Sequence, residues 1–152
     1  MTQTNATNST TTPGASAADL PSLHEALAQV FAPWVRQLDL QLLQAQAGQV
    51  TLQLPVTPPH VHVGGVLCGQ TMMAACDTAM VLAVMTHTGA FKPMTTVQLQ
   101  TSFLRPVAGD SGHALVVARV LRLGRNLVFG EVEVQDAQGR LAAHATCTCA
   151  LL

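Results

Sequence analysis

Charge is scarce in this chain: seven Lys and Arg and eight Asp and Glu among 152 residues, for a formal net charge of −1. So thin and balanced a distribution excludes a basic nucleic-acid footprint and a polybasic membrane tether. Cysteine is sparse too. Four residues without paired spacing make no disulfide framework, and a chain that is 49% hydrophobic needs none. A reducing cytosol is the expected compartment. The first 19 residues lack the basic and apolar regions of a signal peptide. They are rich in Thr, Asn, Ser and Ala and too polar to pack, which reads as a disordered tail ahead of one domain at 20–152. An uninterrupted apolar run is missing as well. Residues 61–91 come nearest, but Gln70, Thr71, Asp77, Thr78, Thr86 and His87 fall within them. An Asp at a bilayer centre costs roughly 2.5–3.5 kcal/mol, so a buried helix is expected there and no membrane span.

What the chain does have is a core. At this length a domain buries roughly 68–70% of its unfolded surface. Leu23, Leu27, Val30, Phe31 and Trp34 recur at helical spacing, which predicts an amphipathic helix over 21–38 that Pro33 kinks or ends. Residues 40–46 and 49–56 flank Ala47-Gly48 and read as a hairpin. Its second strand alternates Val50, Leu52, Leu54 and Val56 against Thr51 and Gln53. Residues 69–87 predict a long helix with no polar face, one that the rest of the protein must wrap. Four strand-like runs follow, at 95–104, 113–123, 127–135 and 141–151, separated by turn chemistry. Two strands, a buried helix and a run of strands describe an α+β domain, an antiparallel sheet curled round a helix.

Between Asp39 and Lys92 the one formally charged residue is Asp77, midway along the most apolar helix. A buried carboxylate costs several kcal/mol unless it is paired or hydrogen-bonded. One account is structural, an Asp bonded to a hydroxyl such as that of Thr78 or to loop backbone. The other is chemical: with no Lys or Arg nearby, it suits a base or a nucleophile. Gly69, at the start of the same helix after Gly64 and Gly65, stands where free N–H groups and the helix dipole favour an oxyanion. The three glycines equally suit a tight turn. His60, His62 and Cys68 match no compact zinc spacing, so no metal is expected. Cys147 and Cys149 alternate on one strand and share a face. The methionines of the helix read as core, and also as a surface able to accommodate varied apolar groups.

Residues 38–152 resemble the PaaI-like branch of the 4-hydroxybenzoyl-CoA thioesterase superfamily, hotdog-fold acyl-CoA thioesterases. The likeness rests on CGQTMMAACDTAMVLAV, on TVQLQTSFLRPVAGD, on RVLRLGRNLVFGEVEVQDAQGRLAAHATCTCALL and, least closely, on PHVHVGGV. It implies a hotdog fold, to which the helix predicted over 21–38 is an N-terminal addition, and hydrolysis of a CoA thioester to an acid and free CoA. Asp77 matches the catalytic carboxylate, Gly69 the glycine whose N–H polarises the carbonyl, and Thr96 a hydroxyl that helps hold the attacking water. His62 falls where relatives place an Asn or Gln. Arg105, Arg122 and Arg125 are candidates for the CoA phosphates. No further cofactor is implied, since CoA belongs to the substrate. Three positions depart from the pattern: Cys68 replaces a His, Gln70 a second Gly, and His62 an amide.

Eight residues separate Gly69 from Asp77, about 12 Å along one helix at 1.5 Å per residue. They cannot meet on one carbonyl within a single chain. A two-fold partner with an antiparallel helix brings Asp77 of one copy to Gly69 of the other, so this chemistry requires a homodimer. Two such dimers can pair further into a tetramer. A non-catalytic acyl-CoA binding module or sensor would keep the same pocket without needing Asp77. A hotdog dehydratase ranks last, because its paired His with Asp or Glu is not apparent.

Overall fold

Gly48, at φ 75°, turns the chain between β1 (Gln41–Gln46) and β2 (Gln49–Pro55) in the computed structural model, which describes residues 20–152. The tail expected over residues 1–19 lies outside the described residues. The Gly48 N–H donates to Oγ1 of Thr86 at 2.9 Å, tying the hairpin to the last turns of α3 (Gly69–Thr88). Val50, Leu52 and Leu54 alternate onto the buried face of β2. The remaining strands are β3 (Met94–Phe103), β4 (His113–Leu123), β5 (Leu127–Gln135) and β6 (Leu141–Leu151). All pair antiparallel, in the order β1-β2-β4-β5-β6-β3.

This curved sheet wraps α3, as the apolar periodicity requires. Ala75, Cys76, Ala79, Met80, Leu82, Ala83 and Val84 are fully buried against it. Gly89, at φ 79°, ends α3 by donating its N–H to the Met85 carbonyl at 2.9 Å. The architecture is the α+β form expected from the residues, and β4, β5 and β6 fall where their turn signals put them. No helix among the described residues is long and apolar enough to cross a membrane.

The N-terminal helix breaks ahead of Pro33, where a kink or an end was expected. It is two short helices, α1 (Leu20–Gln29) and α2 (Pro33–Arg36). Pro33 has no N–H with which to continue α1, yet its fixed φ suits the first position of a new turn. The Arg36 guanidinium donates to the Ala28 carbonyl at 2.9 Å and closes the gap. Leu23 and Ala26 are buried, whereas Val30 and Trp34, placed on the buried stripe by spacing alone, are exposed.

One turn is held by charge. Asp136, between β5 and β6, accepts the backbone N–H groups of Gln138 and Arg140 on Oδ1 and the Arg140 Nε on Oδ2 at 2.7 Å. Burial alone would push its carboxyl up; the Arg140 N–H, the Arg140 guanidinium and the Gln138 N–H outweigh it, and the net direction is down. A lowered folded value means the charge stabilises above the unfolded carboxylate range, near about pH 4, and that this is lost as pH falls through the lowered value. Asp136→Ala should therefore lower the denaturation midpoint most at neutral pH, with the gap to the parent narrowing in acid. A gap that stays constant on acidification would show that the charge contributes nothing.

Candidate active site

The loop before α3 is laced down by its own backbone. Val61 bridges Leu67, Val66 bridges Ala108, and the Leu67 N–H donates to the Val107 carbonyl at 2.9 Å. His60 is buried; its Nδ1 lies 2.7 Å from the Pro55 carbonyl, and its own carbonyl accepts the Cys68 N–H at 2.9 Å. This histidine is a clasp that sets where α3 begins. His62 is exposed, and its Nδ1 accepts the Gly64 N–H at 2.9 Å. A Cβ on Gly64 would lie 2.7 Å from Cε1 of His62, so the ring needs glycine beneath it. Among the described residues no three His, Cys, Asp or Glu side chains stand close enough to hold a metal ion.

Cys68 is the N-cap of α3 and makes no side-chain cap bond; its Sγ meets Thr71 Oγ1 at 2.8 Å instead. Gly69 opens the helix, where no carbonyl of the same helix can accept its N–H. A Cβ on Gly69 would lie 3.0 Å from Cζ of Phe103, whose ring covers this glycine from the end of β3.

Two turns further on, Asp77 is half-buried, and Thr96 Oγ1 donates to its Oδ1 at 2.6 Å. Thr78, the sequence-level candidate for that bond, donates to the Ala74 carbonyl instead. Thr96 reaches Asp77 because of a bulge. It stands opposite Cys149, the register slips between Thr96 and Gln98, and Leu99 stands opposite Cys147. Cys147 and Cys149 face the core, so Thr96 and Leu99 also face the helix, and Val97 is turned out. Both thiols are buried, with their sulfurs 3.5 Å apart. Donation to Cys149 and burial push the Cys147 thiol up. Burial and the Asp77 charge push Cys76 up to about 12, so Cys76 and Cys147 remain neutral beside the carboxylate.

Gly69 and Asp77 both lie on α3, about 12 Å apart along its axis, and do not meet within one chain. Yet they share a face. Gly69, Met73, Ala74, Asp77, Val81 and Thr88 are half-exposed and Gln70 and His87 exposed, all within an arc of about 140°, on a helix whose other residues are buried. This open side lies next to β3, one of the two edge strands, most of whose residues are exposed.

The arginines separate. Arg105 lines a groove of about 340 Å³ beside Gly69, with Val66, Met72, Phe103 and Leu104. Arg122 and Arg125 line another, of about 310 Å³, with Asn126 and Phe129 in the β4–β5 hairpin. That hairpin is at the other end of β3: Asn126 accepts the Leu151 N–H, and Pro93 that of Leu152. A hollow of about 400 Å³ along β1 and β2 holds none of these residues. Sequence reasoning missed Phe103 and the thiols behind Thr96. An aromatic directly before Leu104-Arg105-Pro106, in a chain with four Phe and one Trp, is the signal that was there to be used.

The model of the thioesterase superfamily matches residues 64–143, from the glycine loop to the first residues of β6. A protein of Saccharolobus solfataricus whose name proposes an esterase is 32% identical over 108 residues, 71% of this chain and 75% of that one. Zebrafish thioesterase superfamily member 2 superposes with a TM-score of 0.77 at 25% identity, covering 88% of this chain and 98% of that one. A substituted form of the phenylacetic acid degradation protein PaaI of Thermus thermophilus does so at 0.70 and 25% identity, covering 80% and 100%. The glycine-led central helix, the sheet wrapped round it and these likenesses agree: the chain belongs to the thioesterase superfamily, as a PaaI-like hotdog hydrolase of thioesters.

Proposed function

We propose that this protein is an acyl-CoA thioesterase whose sites form between two copies of the chain. The observation that carries this reading is the Thr96–Asp77 hydrogen bond on the open face of α3, two turns from an uncapped Gly69. An antiparallel second copy sets the partner subunit's Gly69 beside Asp77. The exposed edge of β3, with Val97, Phe103 and Leu104 in the open, suits such a partner, since an uncovered edge strand is a template for pairing.

The thioester carbonyl oxygen accepts the N–H of Gly69 at the helix N-terminus. Thr96 occupies Oδ1 of Asp77 and leaves Oδ2 to take a proton from water. The water oxygen attacks the carbonyl carbon, and the charge that develops on the oxyanion meets the helix dipole. Collapse breaks the C–S bond, and the CoA thiolate recovers the proton from Asp77. Water and acyl-CoA thus become a carboxylic acid and free CoA. Attack by Asp77 itself, through an anhydride that water then opens, uses the same two residues. Arg122 and Arg125 are placed to take the CoA phosphates as a pair. Antiparallel pairing puts Arg105 of one copy at the same end of β3 as those of the other. The free thiols suit a reducing, cytoplasmic setting.

The test is thiol release from a panel of acyl-CoAs by the purified protein. Turnover supports hydrolysis; tight binding without turnover would make the chain an acyl-CoA binding module. His62 belongs to this reading as the residue in place of the family amide. With Nδ1 accepting from Gly64, the neutral ring carries its proton on Nε2, which can donate to the substrate carbonyl. His62→Asn should then keep much of the activity, and His62→Ala should lose about a hundredfold or more in kcat. Equal kcat/KM for His62→Ala and the parent would assign this residue to the loop alone.

A further inference from the structure

The two contacts between β3 and α3 locate a symmetry axis. Thr96, near the start of β3, holds Asp77, and Phe103, at its end, covers Gly69. Strand and helix therefore run antiparallel past each other, and the spans between these two contacts share a midpoint. Midway between Gly69 and Asp77 is Met73; midway between Thr96 and Phe103 are Leu99 and Gln100. A two-fold operation that sets Asp77 against the partner subunit's Gly69, and Gly69 against the partner subunit's Asp77, must pass through that shared midpoint. Met73 is half-exposed, and it is the one long apolar side chain on the open ridge between the two reacting positions.

We infer that Met73 lies on the two-fold axis, touches its own copy there, and forms the wall dividing the two acyl sites of the dimer. The inference rests on the composite site proposed above and adds to it a residue that determines specificity. From each reacting position to the axis is four residues, about 6 Å along the helix, so the paired Met73 side chains bound any apolar group directed inward. A thioether is suited to that task, since it is flexible and fills irregular apolar space. Shortening it joins the two sites through the axis.

Position makes the idea testable by cross-linking. Copies of a residue n positions from Met73 stand about 3n Å apart along the helices, because each residue advances 1.5 Å in both chains. Met73→Cys therefore faces itself. Val81→Cys, on the same half-exposed face, is eight residues away and about 24 Å from its copy, beyond the ~7 Å Cα limit for a disulfide. Under mild oxidation with copper phenanthroline, Met73→Cys should give a disulfide-linked dimer, while Val81→Cys and the parent with its four native cysteines should not. If Met73→Cys fails to link although mixed Asp77 and Gly69 variants complement each other, the axis assignment falls and the composite site stands. If Val81→Cys links instead, both fall.

The wall is tested by Met73→Ala, with folding verified by its melt. The ratio of kcat/KM for long over short acyl-CoAs should rise by about tenfold or more, the scale of discrimination that small changes in an apolar pocket produce. An unchanged ratio would overturn the role as a wall, whatever the cross-link shows.

Discussion

Asp77→Asn should leave a folded protein with at least about a hundredfold less thioester turnover. The amide keeps the shape of the carboxylate and can still accept the Thr96 hydroxyl, so the hydrogen bond seen at 2.6 Å has a counterpart in the variant. What it loses is the ability to take a proton or to attack a carbonyl, and general-base catalysis is typically worth about 10²–10⁴ in rate. Stability should be unchanged or slightly raised, because a charge is withdrawn from a half-buried site on an apolar helix. The measurements are kcat by thiol release and the thermal midpoint of the same preparation. A folded Asp77→Asn protein that hydrolyses normally would remove Asp77 from the chemistry.

The second large effect is a recovery. Gly69→Pro removes the N–H proposed to polarise the carbonyl, at a first-turn position where proline is tolerated and after a Cys68 already extended at ψ 147°. Its ring also adds a Cβ, which the exposed Phe103 ring must accommodate from 3.0 Å. Gly69→Ala brings the same Cβ with the N–H retained, so comparing the two isolates the hydrogen bond. Loss of such a donor costs about 10²–10³ in rate. Gly69→Pro and Asp77→Asn are then each dead as homodimers. A mixed dimer has one doubly damaged site and one site with parental residues on both sides. Equal reassortment makes about half the dimers mixed, so activity should return to about a quarter of the parent. If subunit exchange is verified and no activity returns, Gly69 and Asp77 do not meet across an interface.

Much of this was legible because the chain is locally consistent. The long helix was recognisable from Met72, Ala75, Cys76, Ala79, Met80 and Leu82, which leave it no polar side and therefore no place but the centre of the fold. Asp77 stood out by isolation, as the one charge in over fifty residues. The same reasoning expected a kink or an end at Pro33, where α2 begins, yet it placed Val30 and Trp34 on the buried stripe, and both are exposed. Periodicity continues through a helix break without registering it, since spacing cannot show that the backbone has rotated between Gln29 and Pro33.

The members of the candidate site stood out one by one in the sequence, but their arrangement did not. Nothing in the spacing of Thr96 to Asp77 announces a contact between positions 19 apart. A bulge at Val97 creates it, and a one-residue change of register reverses which side chains face the helix. Phe103 on Gly69 is likewise a consequence of β3 running back along α3. Local patterns sufficed to show which segments become strands, which helix is buried, and that Gly69 and Asp77 stand two turns apart on it. These follow from periodicity and from 1.5 Å of rise per residue, both local properties. Tertiary structure alone decided which hydroxyl holds Asp77, which ring covers Gly69, and that the Arg122–Arg125 pair stands at the opposite end of β3 from Arg105. Those depend on strand order and register, which arise from contacts between distant segments and leave no trace in the order of neighbouring residues.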